Sequence, residues 1–314
     1  MGLFNLFSGS KPFTQEDIPP LTDKVILVTG GNNGLGKQSI LDLARHSPAH
    51  IYLGARSAAK ATAAIADIRT QLGASATTPI TFLELDLASF ASIKTAAKTL
   101  LAATPRLDLL LCNAGIMATP AGLTRDGYEV QFGTNHVGHA LLAALLLPAL
   151  RGAGGGDARV VVLSSGAHNW THARGVDFGS LKGPAEEMSA VVRYGQSKLA
   201  NALWAREWAR RVPDVFVVAV HPGVVGTNLF QSLGERSWVV RNVAPVFFTS
   251  VEVGVRNQLW AACAEVGEGK GGPVSGEYYE PVGVPGKASK WARDDDLARR
   301  LWEWTEREIE GVKI

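Results

Sequence analysis

The chain has 314 residues, 46% of them hydrophobic and 19% charged, which is too apolar for a disordered polypeptide and long enough for a large core. Its 31 basic and 29 acidic residues leave a formal charge of +2, so no strong field would collect nucleic acid or anionic lipid. Two cysteines exclude a stapled secreted framework, and a reducing, cytoplasmic setting is expected.

Residues 1–22 read as an irregular lead-in closed by Pro19-Pro20. The segment lacks the basic flank and apolar core of a signal peptide, and Leu6 stands where a myristoylation signal needs Ser or Thr. Leu3, Phe4, Leu6 and Phe7 leave two readings, weak contact with a membrane or partner, or packing on the domain. Beyond the lead-in, strands are expected at 25–28, 51–53, 80–85, 107–112, 160–163 and 215–220, each a continuous apolar run of the kind buried on both faces. Helix-like segments at 37–46, 57–72 and 92–103 alternate with them. The stretch 140–150 is the most apolar, yet too short to span a bilayer. Further helices are expected at 204–211 and 251–264, and a last short strand at 277–279. An amphipathic helix over 294–314 has Leu297, Leu301 and Trp304 on one face. The alternation predicts an α/β fold, a single doubly wound parallel sheet over residues 23–314 with helices on both faces.

The first strand runs into Thr29-Gly30-Gly31-Asn32-Asn33-Gly34-Leu35-Gly36 and then a helix-forming segment. Glycines at 30, 34 and 36 permit a tight turn and let backbone amides approach a pyrophosphate at a helix N-terminus. A dinucleotide site reading NAD places an acid at the end of the second strand, but Ala55 and Arg56 stand there. A guanidinium suits a 2′-phosphate, so NADP(H) is expected; the alternative is that Arg56 is a solvated surface charge. Farther along, Tyr194 and Lys198 are spaced to project from one face of a helix, and a nearby ammonium favours the phenolate. That effect would pull the tyrosine from about 10 toward the working range.

The spacing Gly-x-x-x-Gly-x-Gly resembles that of the short-chain dehydrogenase/reductase superfamily, and further matches follow in the family's order. They are Asp86 after the third strand, Asn113-Ala114-Gly115 after the fourth, Asn135 in the following helix and Ser164-Ser165 after the fifth strand. Tyr194-x-x-x-Lys198 and then Pro222-Gly223 with Thr227 complete a resemblance that covers about residues 24–230. It implies a Rossmann fold and a nicotinamide cofactor held by Gly30, Asn32, Asn33, Gly34, Leu35, Gly36, Arg56, Asp86, Leu87, Asn113, Ala114, Gly115, Tyr194, Lys198, Pro222, Gly223, Val225 and Thr227. Tyr194 would then exchange a proton with the substrate oxygen, and Ser165, second of the serine pair, would hydrogen-bond that oxygen. Lys198 would reach the nicotinamide ribose, with Asn135 holding a water-linked proton path to it. Helix capping for Asp86, a kinked backbone for Asn135 and a turn for Ser165 are the structural alternatives.

His136 with His139, and His168 with His172, have spacings that suit a metal, but no cysteine or carboxylate cluster accompanies them, so no metal is expected. The 28 residues between Ser165 and Tyr194 make a long insertion, and with Asn135-His136-Val137-Gly138-His139 they resemble the retinol-dehydrogenase-like and fungal branches. That resemblance implies a bulky, lipophilic carbonyl or alcohol touching Ser165, Tyr194, Trp170, Phe230 and Trp238, under an apolar lid at about 227–250. Packing of those apolar residues on the core or on a second subunit is the alternative. Reduction is the expected direction in a cytosol that keeps NADPH reduced. The competing function is a cofactor-binding scaffold or non-redox biosynthetic protein. A homodimer through the helices at 135–150 and 197–211, as in many similar proteins, is also expected.

Overall fold

The structure, a computed structural model, describes residues 13–74, 77–154, 157–226, 249–267 and 271–313. The leucine, isoleucine and valine runs become β1 (Val25–Thr29), β2 (His50–Ala55), β3 (Ile80–Glu84), β4 (Leu109–Cys112), β5 (Arg159–Leu163) and β6 (Phe216–Val220), joined by the short β7 (Tyr278–Tyr279). All pairings are parallel, in the order β3-β2-β1-β4-β5-β6-β7. Every residue of β1 and β4 is buried, as continuous apolar runs demand, whereas β3 at the sheet edge exposes Thr81 and Glu84. Strand order reverses between β1 and β4. A crevice therefore opens at the carboxyl ends of these strands.

Period-two alternation divides the core. Ile26, Val28, Ile51, Leu53 and Leu111 pack with α1 (Gly34–Ala44), α2 (Ala58–Leu72) and α8 (Arg256–Cys263), while Leu27, Leu110, Val160 and Val162 pack with α3 (Phe90–Ala103), α5 (Gly138–Gly152) and α6 (Ala190–Arg211). A short α4 (Val130–Phe132) enters α5 through a π-helical turn at Gly133–Val137. Before α8 stands α7 (Val251–Gly254), so the single helix expected at 251–264 is divided at Val255. The segment 204–211 is the end of one long α6 that begins at Ala190, with Ser189 accepting the Val192 amide as its cap.

The last helix, α9 (Asp295–Ile309), stops short of the expected 314, and Gly311 beyond it has a φ of +78°. Asp294 caps it, and Leu297 and Leu301 are fully buried with Trp304 beside them, as the sequence pattern predicts. Trp302 of α9 stacks over Trp204, and His136 reaches Thr305 at 3.0 Å. The tryptophan-bearing stretch of α6, expected at a subunit interface, thus packs beneath α9 of its own chain. Among the described residues no helix is long and apolar enough to cross a membrane. Replacing fully buried Leu301 by Ala should cost about 2–5 kcal/mol, read as a lower urea midpoint with the far-ultraviolet spectrum of the folded state unchanged.

Candidate active site

At the end of β1 the chain turns through Gly30, at φ +67°, and enters α1 through Gly34, at φ +49°. A Cβ on Gly36 would lie 2.4 Å from the Gly30 carbonyl oxygen, so only glycine lets the loop close on the helix. Asn33 occupies the N-cap position without a side-chain cap bond, leaving the first-turn amides of α1 unspent by it. They open on a cleft of about 450 Å³. Gly30, Asn32, Asn33, Gly34 and Leu35 line its floor, Arg56, Asp86 and Leu87 one end, and Asn113, Ala114, Gly115, Tyr194, Lys198 and Pro222 the other.

Not every expected residue is in that wall. Gly36, Gly223, Asn135 and Ser165 are not among its lining residues, Ser164 being the serine in the wall, and Val225 is buried, bridging to Thr249 and filling the space beside Gly254. Its side chain is spent on packing, which removes it from the lining. Trp170 is 63% exposed and does not line the cleft, because it follows a 3₁₀ turn whose backbone, not its indole, packs on α6. Thr227, Phe230 and Trp238, with nearly all of the expected lid, lie outside the described residues. Asp86 is not the helix cap; Ser89 caps α3, and Asp86 accepts the Ala88 amide within its own turn.

Tyr194 and Lys198 lie one turn apart on α6, both buried. The Lys198 ammonium donates to the Leu163 carbonyl at 2.8 Å and sits 5.7 Å from the centre of the Tyr194 ring. The two serines have different tasks: Ser164 donates to the Lys198 carbonyl at 2.8 Å, whereas Ser165 hydrogen-bonds the Tyr194 hydroxyl. A Cβ on Gly195 would fall 2.1 Å from the Trp170 carbonyl oxygen and 2.6 Å from that of Ala167, so this glycine lets the Ser165 turn approach α6. His168 holds the same turn, its Nδ1 lying 2.6 Å from the Ser165 carbonyl while Nε2 accepts the Ser289 amide at 3.0 Å.

Asn135 sits in the π turn with both ends of its amide bonded. Oδ1 accepts the Ile116 amide at 2.8 Å, and Nδ2 donates to the Ile116 carbonyl and to Ser197 Oγ, each at 2.9 Å. Ser197 in turn donates to the Tyr194 carbonyl at 2.7 Å. The residue therefore both fixes a kinked backbone and ties the loop after β4 to the tyrosine helix. Burial pushes Lys198 down to about 8 and Tyr194 up to about 12, with the Ser165 bond opposing the rise. Burial of Tyr194 thus acts against the field of the nearby ammonium, which is held at the Leu163 carbonyl.

Several residues at the site carried no sequence signal. Ser57 and Lys60 join Arg56 at the β2 end of the cleft, a place visible only once α2 is built. Arg193 forms a buried ion pair with Glu129 at 2.8 Å and donates to the Thr119 carbonyl at 3.1 Å, while Gln131 accepts the Ala118 amide. These bonds brace the loop carrying Met117, which packs with Ala167 and Tyr194. The histidines are structural in position: His136 bonds Thr305, and His139 bonds Thr29 and the Asn135 carbonyl. Among the described residues no three His, Cys, Asp or Glu side chains gather as metal ligands would.

The family model for short chain dehydrogenase matches residues 24–238, the span that holds the glycine turn, the serine pair and Tyr194. The chain belongs to the short-chain dehydrogenase family. A short-chain dehydrogenase/reductase of Armillaria gallica is 37% identical over 307 residues, covering 96% of this chain and 95% of its own. Retinol dehydrogenase 12 of Mus musculus is 38% identical over 298 residues, covering 94% and 88%. A crystal structure of an uncharacterised protein from Mycobacterium paratuberculosis superposes with a TM-score of 0.73 at 29% identity, covering 95% of this chain and 97% of that one. This short-chain dehydrogenase is thus similar to both fungal and retinol-dehydrogenase relatives along nearly its whole length. Its dependence on a bare position beside the tyrosine is testable: Gly195→Ala should cost about 1–3 kcal/mol by overpacking, read as a lower melting temperature.

Proposed function

We propose that this short-chain dehydrogenase is an NADP(H)-dependent oxidoreductase for a lipophilic carbonyl/alcohol pair, with Tyr194 as general acid and base. The observation that carries the reading is that Tyr194 and Lys198 line a glycine-floored cleft, with Ser165 bonded to the Tyr194 hydroxyl and Asn135 tied to the same helix through Ser197. The donor set fits a dinucleotide: first-turn amides of α1 for the pyrophosphate, and a chain of small residues, Asn113-Ala114-Gly115, along the nicotinamide half. When bound, the nicotinamide supplies or takes up the electron pair of the redox step.

The protein's residues handle the proton and the developing charge. In the reductive direction the Tyr194 hydroxyl gives its proton to the substrate oxygen, and Ser165 donates a hydrogen bond to the same oxygen. Lys198 stands between the Leu163 carbonyl and the tyrosine ring, where its positive charge favours the tyrosinate that remains. Asn135 provides the water-linked path that returns a proton to Lys198.

Arg56, Ser57 and Lys60 support the NADP(H) preference, since they place two cations and a helix N-terminus where β2 ends. Met117 and Ala167 beside Tyr194 support an apolar substrate, as do the retinol dehydrogenases among the relatives. Both cysteines are buried and unpaired, which supports a reducing compartment and we place the enzyme in the cytoplasm. The two core clusters share one sheet, which supports a single domain from residue 23 onward.

NADPH oxidation measured across a panel of lipophilic aldehydes and ketones should be lost by roughly 10²–10⁴ in Tyr194→Phe. Arg56→Ala should weaken NADPH by about tenfold to a hundredfold and leave NADH unchanged, as loss of a charged hydrogen bond requires. Equal effects on both cofactors would sink the 2′-phosphate assignment. Because the acid form of Tyr194 supplies the proton, reduction should hold through neutral pH and fall on the alkaline side, while alcohol oxidation should rise with pH.

A further inference from the structure

His139 is a buried histidine that the chemistry above does not use. It is 1% exposed, and both ring nitrogens have partners: Nδ1 lies 3.0 Å from the main-chain carbonyl of Asn135, and Nε2 lies 2.9 Å from Thr29 Oγ1. The surrounding donors decide its tautomer. Thr29 Oγ1 accepts the amides of Asn113 at 3.0 Å and Ala114 at 2.9 Å, which fills its two lone pairs, so its own proton must be given away. His139 Nε2 is the nearer acceptor, the Leu111 carbonyl being 3.3 Å away. Nε2 therefore accepts, and Nδ1 carries the proton and donates it to Asn135. Burial keeps the ring neutral, lowering it to about 4, and the positive charge of Lys198 acts in the same direction.

This bond lands at a special point of the backbone. The π turn at Gly133–Val137 interrupts the regular ladder of α5, and a side-chain donor reaches back into the interrupted turn. Asn135 Oδ1 accepts from Ile116 and Nδ2 donates to Ile116 and Ser197, and the main-chain carbonyl that His139 holds is the other acceptor this residue carries. A Cβ on Gly115 would lie 3.3 Å from Asn135 Oδ1 and 3.5 Å from Lys198 Nζ, so both residues close on that glycine. At its other nitrogen His139 holds Thr29, and through it the Asn113-Ala114 wall of the cleft.

We propose that His139 is a positioning residue for proton supply: its Nδ1–H fixes the Asn135 carbonyl that ends the water-linked path to Lys198, and its Nε2 locks that carbonyl to the cleft wall through Thr29. The inference rests on the proposed role of Asn135 and Lys198 in that path. It also gives the second histidine of Asn135-His136-Val137-Gly138-His139 a task that neither metal spacing nor packing supplies.

Two measurements test it, one independent of turnover. In histidine-¹⁵N-labelled protein, long-range proton–nitrogen spectra, assigned by loss of the signal in His139→Phe, should show a neutral ring protonated at Nδ1. That pattern should persist well below the pH at which ordinary histidines titrate, about 6.5. A ring protonated at Nε2, or one that titrates like a free histidine, overturns the proposal. For kinetics, His139→Asn keeps a donor near Nδ1, while His139→Gln keeps an acceptor near Nε2 and loses that donor. The Gln variant should lose roughly tenfold to a hundredfold in kcat, with a larger solvent deuterium isotope effect and unchanged NADPH binding. The Asn variant should keep the isotope effect of the wild type. If both variants lose kcat and melting temperature together with the isotope effect unmoved, His139 is only a packing residue and the proposal fails. A wild type that binds NADPH but reduces no carbonyl overturns the proposed function instead, and the spectra still decide the lock.

Discussion

A parallel sheet leaves carbonyl groups at its strand ends that must find partners elsewhere, and at the end of β5 those partners come from α6. The Leu163 carbonyl accepts both the Lys198 ammonium at 2.8 Å and Asn201 Nδ2 at 3.0 Å, and Ser164 answers by donating to the Lys198 carbonyl. A lysine is costly to bury, so such a site persists only when the charge is directed at an acceptor. Here the direction is toward the sheet. Docking α6 in that register sets Tyr194 against Ser165, two residues beyond the strand, and the other features of the site are arranged around that contact.

The remaining supports act from three sides. Gly195 removes the side chain that would hold the Ser165 turn away, while His168 grips the carbonyl of Ser165 and joins it to the segment before α9. The buried Arg193–Glu129 pair, next to Tyr194 in sequence, braces the loop that presents Met117. Asn135 and Ser197 tie the loop after β4 to the tyrosine helix. Breaking one partner of a buried charged or hydrogen-bonded group costs more than the bond is worth when made, because the other partner stays desolvated. The surroundings of Tyr194 are therefore rigid, and the cleft beside it is floored by a glycine-rich turn.

Much of this was legible in the residue order. Continuous apolar runs placed β1, β5 and β6 to within a residue or two, because a strand covered on both faces tolerates little else. The turn at Gly30 to Gly36 could be read because a backbone close enough to the helix excludes a Cβ. Tyr194 and Lys198 could be paired because helical spacing is local. The exposed position of Trp170 and the packing of Val225 could not, since each depends on which surface the rest of the fold leaves free. The upward push of burial on Tyr194 belongs with these, since spacing shows the lysine nearby but not how deeply the fold buries the pair.

The sequence by itself determined the fold class, the order of strands and helices, the glycine turn after β1 and the placing of Tyr194 and Lys198 on one helix face. All of these follow from local periodicity, backbone sterics or short spacing. Only the tertiary structure decided which serine faces the tyrosine, what each histidine bonds, and that Glu129 neutralises Arg193 from 64 residues away. Those outcomes depend on long-range contacts and on burial, and burial sets the strength and sign of every charge at the site.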